Sequence, residues 1–269
     1  MIELPGVISP IAITMGPFRV HWYGIAYAVS FLVLYIGVRS SLKKSSQQLI
    51  TLDMWESLFQ RLTLAVIVGG RLGYILFYQP TWLLEPWRIL MIWQGGMSFH
   101  GACLGVGITT WLFCYHHRCS FIHIMDLLLP WVPVGLFLGR LANFVNGELP
   151  GRVTEVSWAV IFKHTDWLPR HPSPLYEALG EGVCLGVLLY CVTKLKRKGM
   201  VTCSFLMGYG LIRSVLECFR EPDPQIGYLW SYFTLGQFLS MAMIVVSMVM
   251  VFMVMRPSLR YHKHQQKAC

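Results

Sequence analysis

In the stretch GLFLGRLANFVNGELPG, residues 135–151, an apolar run ends in Arg140, Asn143, Asn146 and Glu148. An arginine keeps its charge and presents a planar fork of donors that matches two oxygens of a phosphate. Arg140 and Asn143, three residues apart, share a face if the segment is helical, and Asn146 follows at the fraying end. Arginine and carboxamides at the end of a membrane-like segment suit a phospholipid headgroup. The stretch GYGLIRSVLECFREPD, residues 208–223, carries a second set. Tyr209 and Arg213 stand four apart, followed by Glu217 and Arg220, as a polar stripe on an apolar helix. Ionisable residues at the bilayer centre cost roughly 3 kcal/mol or more, so they face a partner or a water-filled cavity. Structural pairing accounts for part of the set: Arg213 reaches Glu217 over one turn, and Glu177 and Glu181 share a face in the same way. Arg61, Arg71, Glu56 and Asp126 are further charges within apolar segments.

Other stretches carry candidate chemistry. GGMSFHGACLG, residues 95–105, sets His100 among glycines that leave room for a ligand or a second backbone. Imidazole titrates near neutrality and suits a proton acceptor, although a lone histidine is more often satisfied locally than catalytic. VHWYG places His21, Trp22 and Tyr23 where a membrane-interface belt is expected. In RHPSPLYEALGEG, Pro174 marks a helix start, with Tyr176 and Glu177 behind it.

The elements that position these residues are membrane helices. Of 269 residues, 55% are hydrophobic and only 13% charged, with a mean hydropathy of +0.54. A soluble domain carries about 25% charged residues. The formal net charge of +9 could suggest nucleic acid, but the basic residues lie in short clusters between apolar runs. They read as topology signals, and nucleic acid is not an expected partner. The expected class is an all-α integral membrane protein with seven transmembrane helices, near 20–38, 55–78, 97–114, 121–141, 174–193, 200–218 and 232–255. The Trp- and Pro-rich segment 78–96 reads as an amphipathic interfacial arm. Arg39, Lys43 and Lys44, then Arg118, then KLKRK at 194–198, then the tail lie on one side, which positive-inside bias makes cytoplasmic. The N-terminus then lies outside, and MIELPGVISP lacks the basic start of a cleaved signal peptide. The whole chain, 1–269, reads as a single polytopic domain, with 145–172 as a small extracytoplasmic cap and 256–269 as a cytoplasmic tail. No internal repeat supports an inverted-repeat transporter. The eight cysteines are scattered without CxxC spacing, so neither a metal site nor a disulfide framework is expected.

At these residues the chain resembles the bacterial prolipoprotein diacylglyceryl transferases. GRLANFVNGELPG fits that family's signature, G-R-x-[GA]-N-F-hydrophobic-N-x-E-x-x-G, and HWYG, GGRLGYILFY, GGMSFHG, RHPSPLYE and YGLIRSVLECFREPD are similar to its other segments, in order. The resemblance covers nearly the full chain. It implies seven spans in the bacterial cytoplasmic (inner) membrane and a site facing the extracytoplasmic side. It implies transfer of the diacylglyceryl group of phosphatidylglycerol to the lipobox cysteine thiol of a preprolipoprotein signal peptide, with a thioether formed and glycerol phosphate released. Phosphatidylglycerol, the signal peptide and membrane lipids are the implied partners, and no cofactor is implied. By position, Arg140 and Arg213 become the indispensable arginines, with His100 as the third catalytic candidate. Asn143, Asn146, Glu148 and Gly151 in the signature, with Tyr23, Tyr209, Glu217 and Arg220, become substrate-binding candidates. Two departures stand out: the loop from Gly151 to His171 is short beside many proteobacterial members, and Pro150 stands where an aromatic is common.

The chemistry fits the residues. Displacement at a glyceryl carbon expels a phosphate, and a permanently charged guanidinium stabilises that leaving charge. The attacking thiol, with an ordinary pKa near 8.5, is activated by a base such as His100 or by nearby cations. An anion or phospholipid transporter shares the buried arginines but requires polar residues through to the cytoplasmic side. Arg61, Arg71 and Asp126 are the residues that reading would use.

Overall fold

The computed structural model describes residues 2–3, 11–16, 18–44, 50–91, 95–162, 165–221, 228–229 and 233–255. The tail 256–269 therefore lies outside the described residues, as do Lys163 and His164 of the expected cap. The molecule is mainly helical, and every apolar segment expected to span contains a helix. Five helical runs are long and apolar enough to cross a membrane: Trp22–Lys44, Leu52–Tyr78, Phe121–Val145, Ser173–Thr193 and Gly236–Met253. Met200–Leu216 is apolar but shorter. Large apolar side chains point outward along these runs, with Phe77 65%, Val187 60% and Phe252 60% exposed. Lipid rather than protein is the environment such surfaces suit.

The chain divides into two compact units. The first comprises Met1–Leu34 and Leu128–Cys269, and the second Tyr35–Leu127. In the second unit, α2 (Leu52–Tyr78) starts at the cap Thr51, whose side chain accepts from Met54 N, with Asp53 in the favourable first turn. Helix α4 (Phe99–His117) starts at Ser98, whose hydroxyl accepts from Gly101 N. The two helices meet along a seam of small residues. A Cβ at Gly101 would stand 2.2 Å from Gly69 O, one at Gly73 2.6 Å from Gly101 Cα, and one at Gly105 2.5 Å from Ala65 O. With no hydrophobic drive between helices in lipid, such backbone contact is how they adhere.

The expected arm at 78–96 is not one continuous element. It is a 3₁₀ turn, Pro80–Leu84, followed by the one-turn helix α3 (Pro86–Leu90), each opened by a proline. Proline begins a helical turn but cannot extend the preceding one. The buried guanidinium of Arg71 organises this region: it donates to the carbonyls of Arg88, Ile89, Met91, Gly95 and Gly96 and lies 5.0 Å from the Trp82 ring centre.

In the first unit, the hairpin β2 (Ile11–Met15) and β3 (Phe18–His21) runs directly into α1 (Trp22–Lys44). Within the expected cap, β4 (Val160–Ile161) pairs antiparallel with β5 (Pro169–Arg170) and parallel with β1 (Ile2–Glu3). The run Phe121–Val145 contains α5 (Phe121–Leu128), a 3₁₀ turn at Leu129–Trp131 and α6 (Val132–Val145). The run Ser173–Thr193 contains α7 (Ser173–Glu177), a π-helical segment at Ala178–Cys184 and α8 (Leu185–Thr193). Helix α9 (Met200–Leu216) packs on α10 (Leu235–Met255), where Ser247 Oγ donates to Cys203 O at 2.8 Å and a Cβ at Gly210 would lie 2.9 Å from Ser240 O.

Candidate functional site

The signature segment builds its site through the way α6 ends. Asn146 is the C-cap, and Gly147 follows with φ +68°. Gly147 N donates to Phe144 O at 3.0 Å and Glu148 N to Asn143 O at 2.9 Å. This is a Schellman closure, which requires the left-handed residue that glycine supplies without strain. It folds the chain back so that Glu148 lies over the last turn. Asn143 Nδ2 then reaches Glu148 Oε2 at 3.3 Å, and Asn146 Nδ2 reaches Glu148 Oε1 at 3.2 Å. Tyr23, in the first turn of α1, donates its hydroxyl to Glu148 Oε2 at 2.5 Å and accepts from Asn143 Nδ2. Asn146 Oδ1 is buried without a hydrogen-bond partner among the described residues.

One turn earlier on α6, Arg140 enters a charge cluster. Its Nη1 lies 2.9 Å from Glu177 Oε2, and its Nε and Nη2 lie 3.2 and 3.1 Å from Glu181 Oε2. Arg213, from α9, places Nη1 3.0 Å from Glu177 Oε1 and 3.2 Å from Glu181 Oε1, and Nη2 2.7 Å from Glu217 Oε2. Arg220 Nη1 stands 3.4 Å from Glu177 Oε1. Three arginines and three glutamates thus neutralise one another within an apolar bundle. Tyr209 lies within electrostatic reach of both Arg140 and Arg213 and stacks on Phe205 at 5.8 Å. Burying so many charges is tolerable only because each meets an opposite one.

The expected pair Arg213–Glu217 forms; Asn143 and Asn146 gather on Glu148, which Tyr23 joins from α1, while Arg140 on the same helix turns to Glu177 and Glu181. The arginines are more heavily engaged than the sequence indicated. All three nitrogens of the Arg140 guanidinium touch carboxylate, and Glu177 and Glu181, whose spacing suggests structural pairing, bridge it to Arg213. Their four-residue spacing was the available signal, but sequence could not name the helices they face. Gly151 has a backbone role. A Cβ there would lie 2.6 Å from both His171 O and Phe219 O. Its N–H donates to His171 O, its neighbour Arg152 N donates to Phe219 O, and it forms a bridge with Arg220. Gly151 thereby ties the signature to the stretch carrying Arg220.

His100 lies in the first turn of α4, in the second unit, and its side chain is outside the described residues. The residues a transporter would use have local occupations. Arg71 holds the carbonyls of the 88–96 region, Arg61 lies 5.9 Å from the Phe113 ring centre, and Asp126 is engaged too. No cluster of three or more potential metal ligands occurs among the described residues.

Beside the signature, Arg170 donates to Asp166 at 2.6 Å, to Gly151 O at 2.8 Å and to Glu221 at 3.1 Å. The hydrogen bonds from Arg170 hold the Asp166 carboxyl below its ordinary range, and Asp166 in turn raises Arg170. Burial lowers the His171 imidazole; His171 Nδ1 lies 3.2 Å from Tyr176 Oη, which accepts from Trp158 Nε1 at 2.7 Å.

Residues 10–253 match the family model described as prolipoprotein diacylglyceryl transferase. The chain is similar to proteins named phosphatidylglycerol–prolipoprotein diacylglyceryl transferase from several bacteria. It is 44% identical over 254 residues to that of Legionella pneumophila (strain Philadelphia 1), covering 91% of this chain and 96% of that protein. It is 41% identical over 263 residues to that of Bordetella parapertussis, covering 97% and 100%. For Rickettsia felis the identity is 43% over 249 residues, covering 91% and 96%.

Proposed function

Because this chain belongs to the prolipoprotein diacylglyceryl transferase family, we infer that it transfers the diacylglyceryl group of phosphatidylglycerol to the cysteine thiol of a preprolipoprotein. This is the first step of bacterial lipoprotein maturation. The observation that carries the site assignment is the meeting of Arg140 and Arg213, from two different helices, over shared buried carboxylates. Two fixed cations at one point in an apolar bundle suit the phosphodiester of a lipid.

In the reaction, the lipobox thiolate attacks the glyceryl carbon. A sulfur–carbon bond forms, the carbon–oxygen bond to phosphate breaks, and the electron pair leaves on glycerol phosphate. Arg140 and Arg213 hold the phosphate and stabilise the charge that grows as it departs, a role that needs preorganised donors. The thiol proton passes to a base, for which His100 is the candidate by residue type and family resemblance. The headgroup glycerol carries hydroxyl donors, and Glu148 and the unpartnered Asn146 Oδ1 supply acceptors for them. Tyr23 and Asn143 hold Glu148, while Tyr209, Glu217 and Arg220 line the arginine side and Gly151 fixes the backbone between. The substrates are phosphatidylglycerol and signal peptides bearing a lipobox cysteine.

The protein forms one polytopic domain of the bacterial inner membrane, with α4 and α9 counted as spans beside the five runs named above, giving seven. Loop charge supports a cytoplasmic C-terminus and an extracytoplasmic cap at 145–172 that receives the peptide. The test is purified protein in vesicles containing phosphatidylglycerol, given a lipobox peptide. A peptide carrying a diacylglyceryl thioether, found by mass, is expected. An unchanged peptide, with phosphatidylglycerol instead moved between leaflets, would favour a transporter.

A further inference from the structure

The segment LGEGV, residues 179–183, places a carboxylate between two glycines inside a π-helical turn. Both glycines mark close approaches. A Cβ at Gly182 would lie 2.6 Å from Phe137 Cβ on α6, and one at Gly180 would lie 2.8 Å from Ile212 Cγ2 on α9. The turn is therefore wedged between the helix that carries Arg140 and the helix that carries Arg213. Glu181, fully buried, sits at the centre of the wedge. Each of its oxygens serves a different arginine: Oε2 accepts from Arg140 Nε and Nη2, and Oε1 from Arg213 Nη1. The wide π turn is itself a costly irregularity that tends to occur where a helix must aim a side chain.

We propose that Glu181 is a positioning residue: its carboxylate clamps the guanidiniums of Arg140 and Arg213 side by side, so that two like charges stay together and aimed at one phosphate. The proposal rests on the phosphoryl-binding role inferred above for those arginines. Two cations sharing a site repel, and an anion between them turns that repulsion into attraction. Glu181 takes the Nε/Nη2 edge of Arg140 and fixes the guanidinium plane. Of that guanidinium's five N–H donors, those on the terminal edge are then directed together rather than left to rotate. Glu177 bridges the same pair but is also drawn by Arg220. Among the ion pairs of the described residues, Glu181 bridges these two arginines alone.

The test compares Glu181→Gln, Glu181→Asp and Gly182→Ala with the wild type for thioether formation, under varied phosphatidylglycerol. Glutamine keeps the shape and loses the charge, and aspartate keeps the charge but withdraws it by one methylene. Positioning for the leaving phosphate predicts that Glu181→Gln lowers kcat on the order of 10- to 100-fold. KM for the lipid should not rise, because loss of one anion beside the site favours an incoming anion. Asp should recover part of the rate, and Gly182→Ala, which forces α6 aside, should lower kcat in the same sense. Combined with Arg213→Lys, Glu181→Gln should cost far less than it does alone, since it acts through that arginine. An unchanged kcat, a raised KM at wild-type kcat, or additive losses in the double variant would each overturn the proposal. If neither Glu181 variant folds to a monodisperse, cooperatively melting protein, Glu181 belongs to the fold and the proposal also fails. A wild type that makes no thioether overturns the underlying reaction instead, before any variant is compared.

Discussion

Arg140 and His100 pose different questions at the scale of single residues. Arg140 touches carboxylate through all three guanidinium nitrogens, a planar pattern that an ammonium cannot reproduce. Arg140→Lys is therefore expected to lose on the order of 100-fold or more in transfer rate, nearly as much as Arg140→Ala. Most of the activity returning with Lys would mean that bulk charge suffices. Arg61, which lies 5.9 Å from the Phe113 ring centre, should tolerate Lys with little loss in the same assay. His100 is proposed as base by residue type and family position. If it removes the thiol proton, His100→Gln should cost about 100- to 10,000-fold in turnover and leave phosphatidylglycerol binding nearly unchanged. The defect should shrink as pH approaches the ordinary thiol pKa near 8.5, where free thiolate needs no base. A loss parallel at every pH would make His100 a packing or headgroup residue.

Helix ends and helix seams set local geometry at the scale of elements. The Schellman end of α6 returns Glu148 to Asn143, and it depends on Gly147 at φ +68°. Gly147→Ala should lower stability by about 1 kcal/mol and lower activity by more than that loss of folded protein explains, because Glu148 shifts. Equal activity per folded molecule would show that the turn does not set the site. The α2–α4 seam is tighter still: a methyl at Gly101 meets Gly69 O at 2.2 Å. Gly101→Ala should cost about 1–3 kcal/mol through overpacking, read as a lower melting temperature in detergent. Unaltered melting would mean the helices separate without penalty.

Topology and the cap are properties of the whole molecule. An impermeant thiol reagent applied to whole spheroplasts should modify single cysteines introduced in 152–168, in a background without native cysteines. It should spare those introduced at 194–198; the reverse pattern would invert the orientation. The 151–172 segment should also loosen in acid. Burial holds the His171 pKa below its ordinary value, so the folded form prefers the neutral ring. That contribution is present above the unfolded value near 6.5 and is lost as pH falls through the depressed folded one. Asp166, held low by Arg170, loses its contribution only further down, as pH falls below the ordinary carboxylate range. Proteolysis in 151–172 should therefore quicken as pH falls below the ordinary imidazole value of about 6.5 in the wild type, and less so in His171→Gln. Identical pH profiles for the two proteins would remove His171 from the cap's stability.

Several levels of this protein follow from the order of residues alone. The length and polarity of apolar runs determine helices in lipid, because an unsatisfied backbone cannot cross a bilayer. The grouping of Asn143, Asn146 and Glu148 is local, and a helix followed by a glycine turn brings those three together with little help. The spacing of Arg213 and Glu217 likewise foretold their pair. Tertiary structure decided what lies far apart in sequence. It brought Tyr23 from α1 to Glu148, and set Glu177 and Glu181 between Arg140 and Arg213. It gave Gly151 two carbonyls to lie against and turned Arg71 from an apparent intramembrane charge into the anchor of a loop. The physical reason is that a buried charge is neutralised by whichever opposite group packing delivers. Packing depends on glycine seams and helix breaks whose partners no periodicity names.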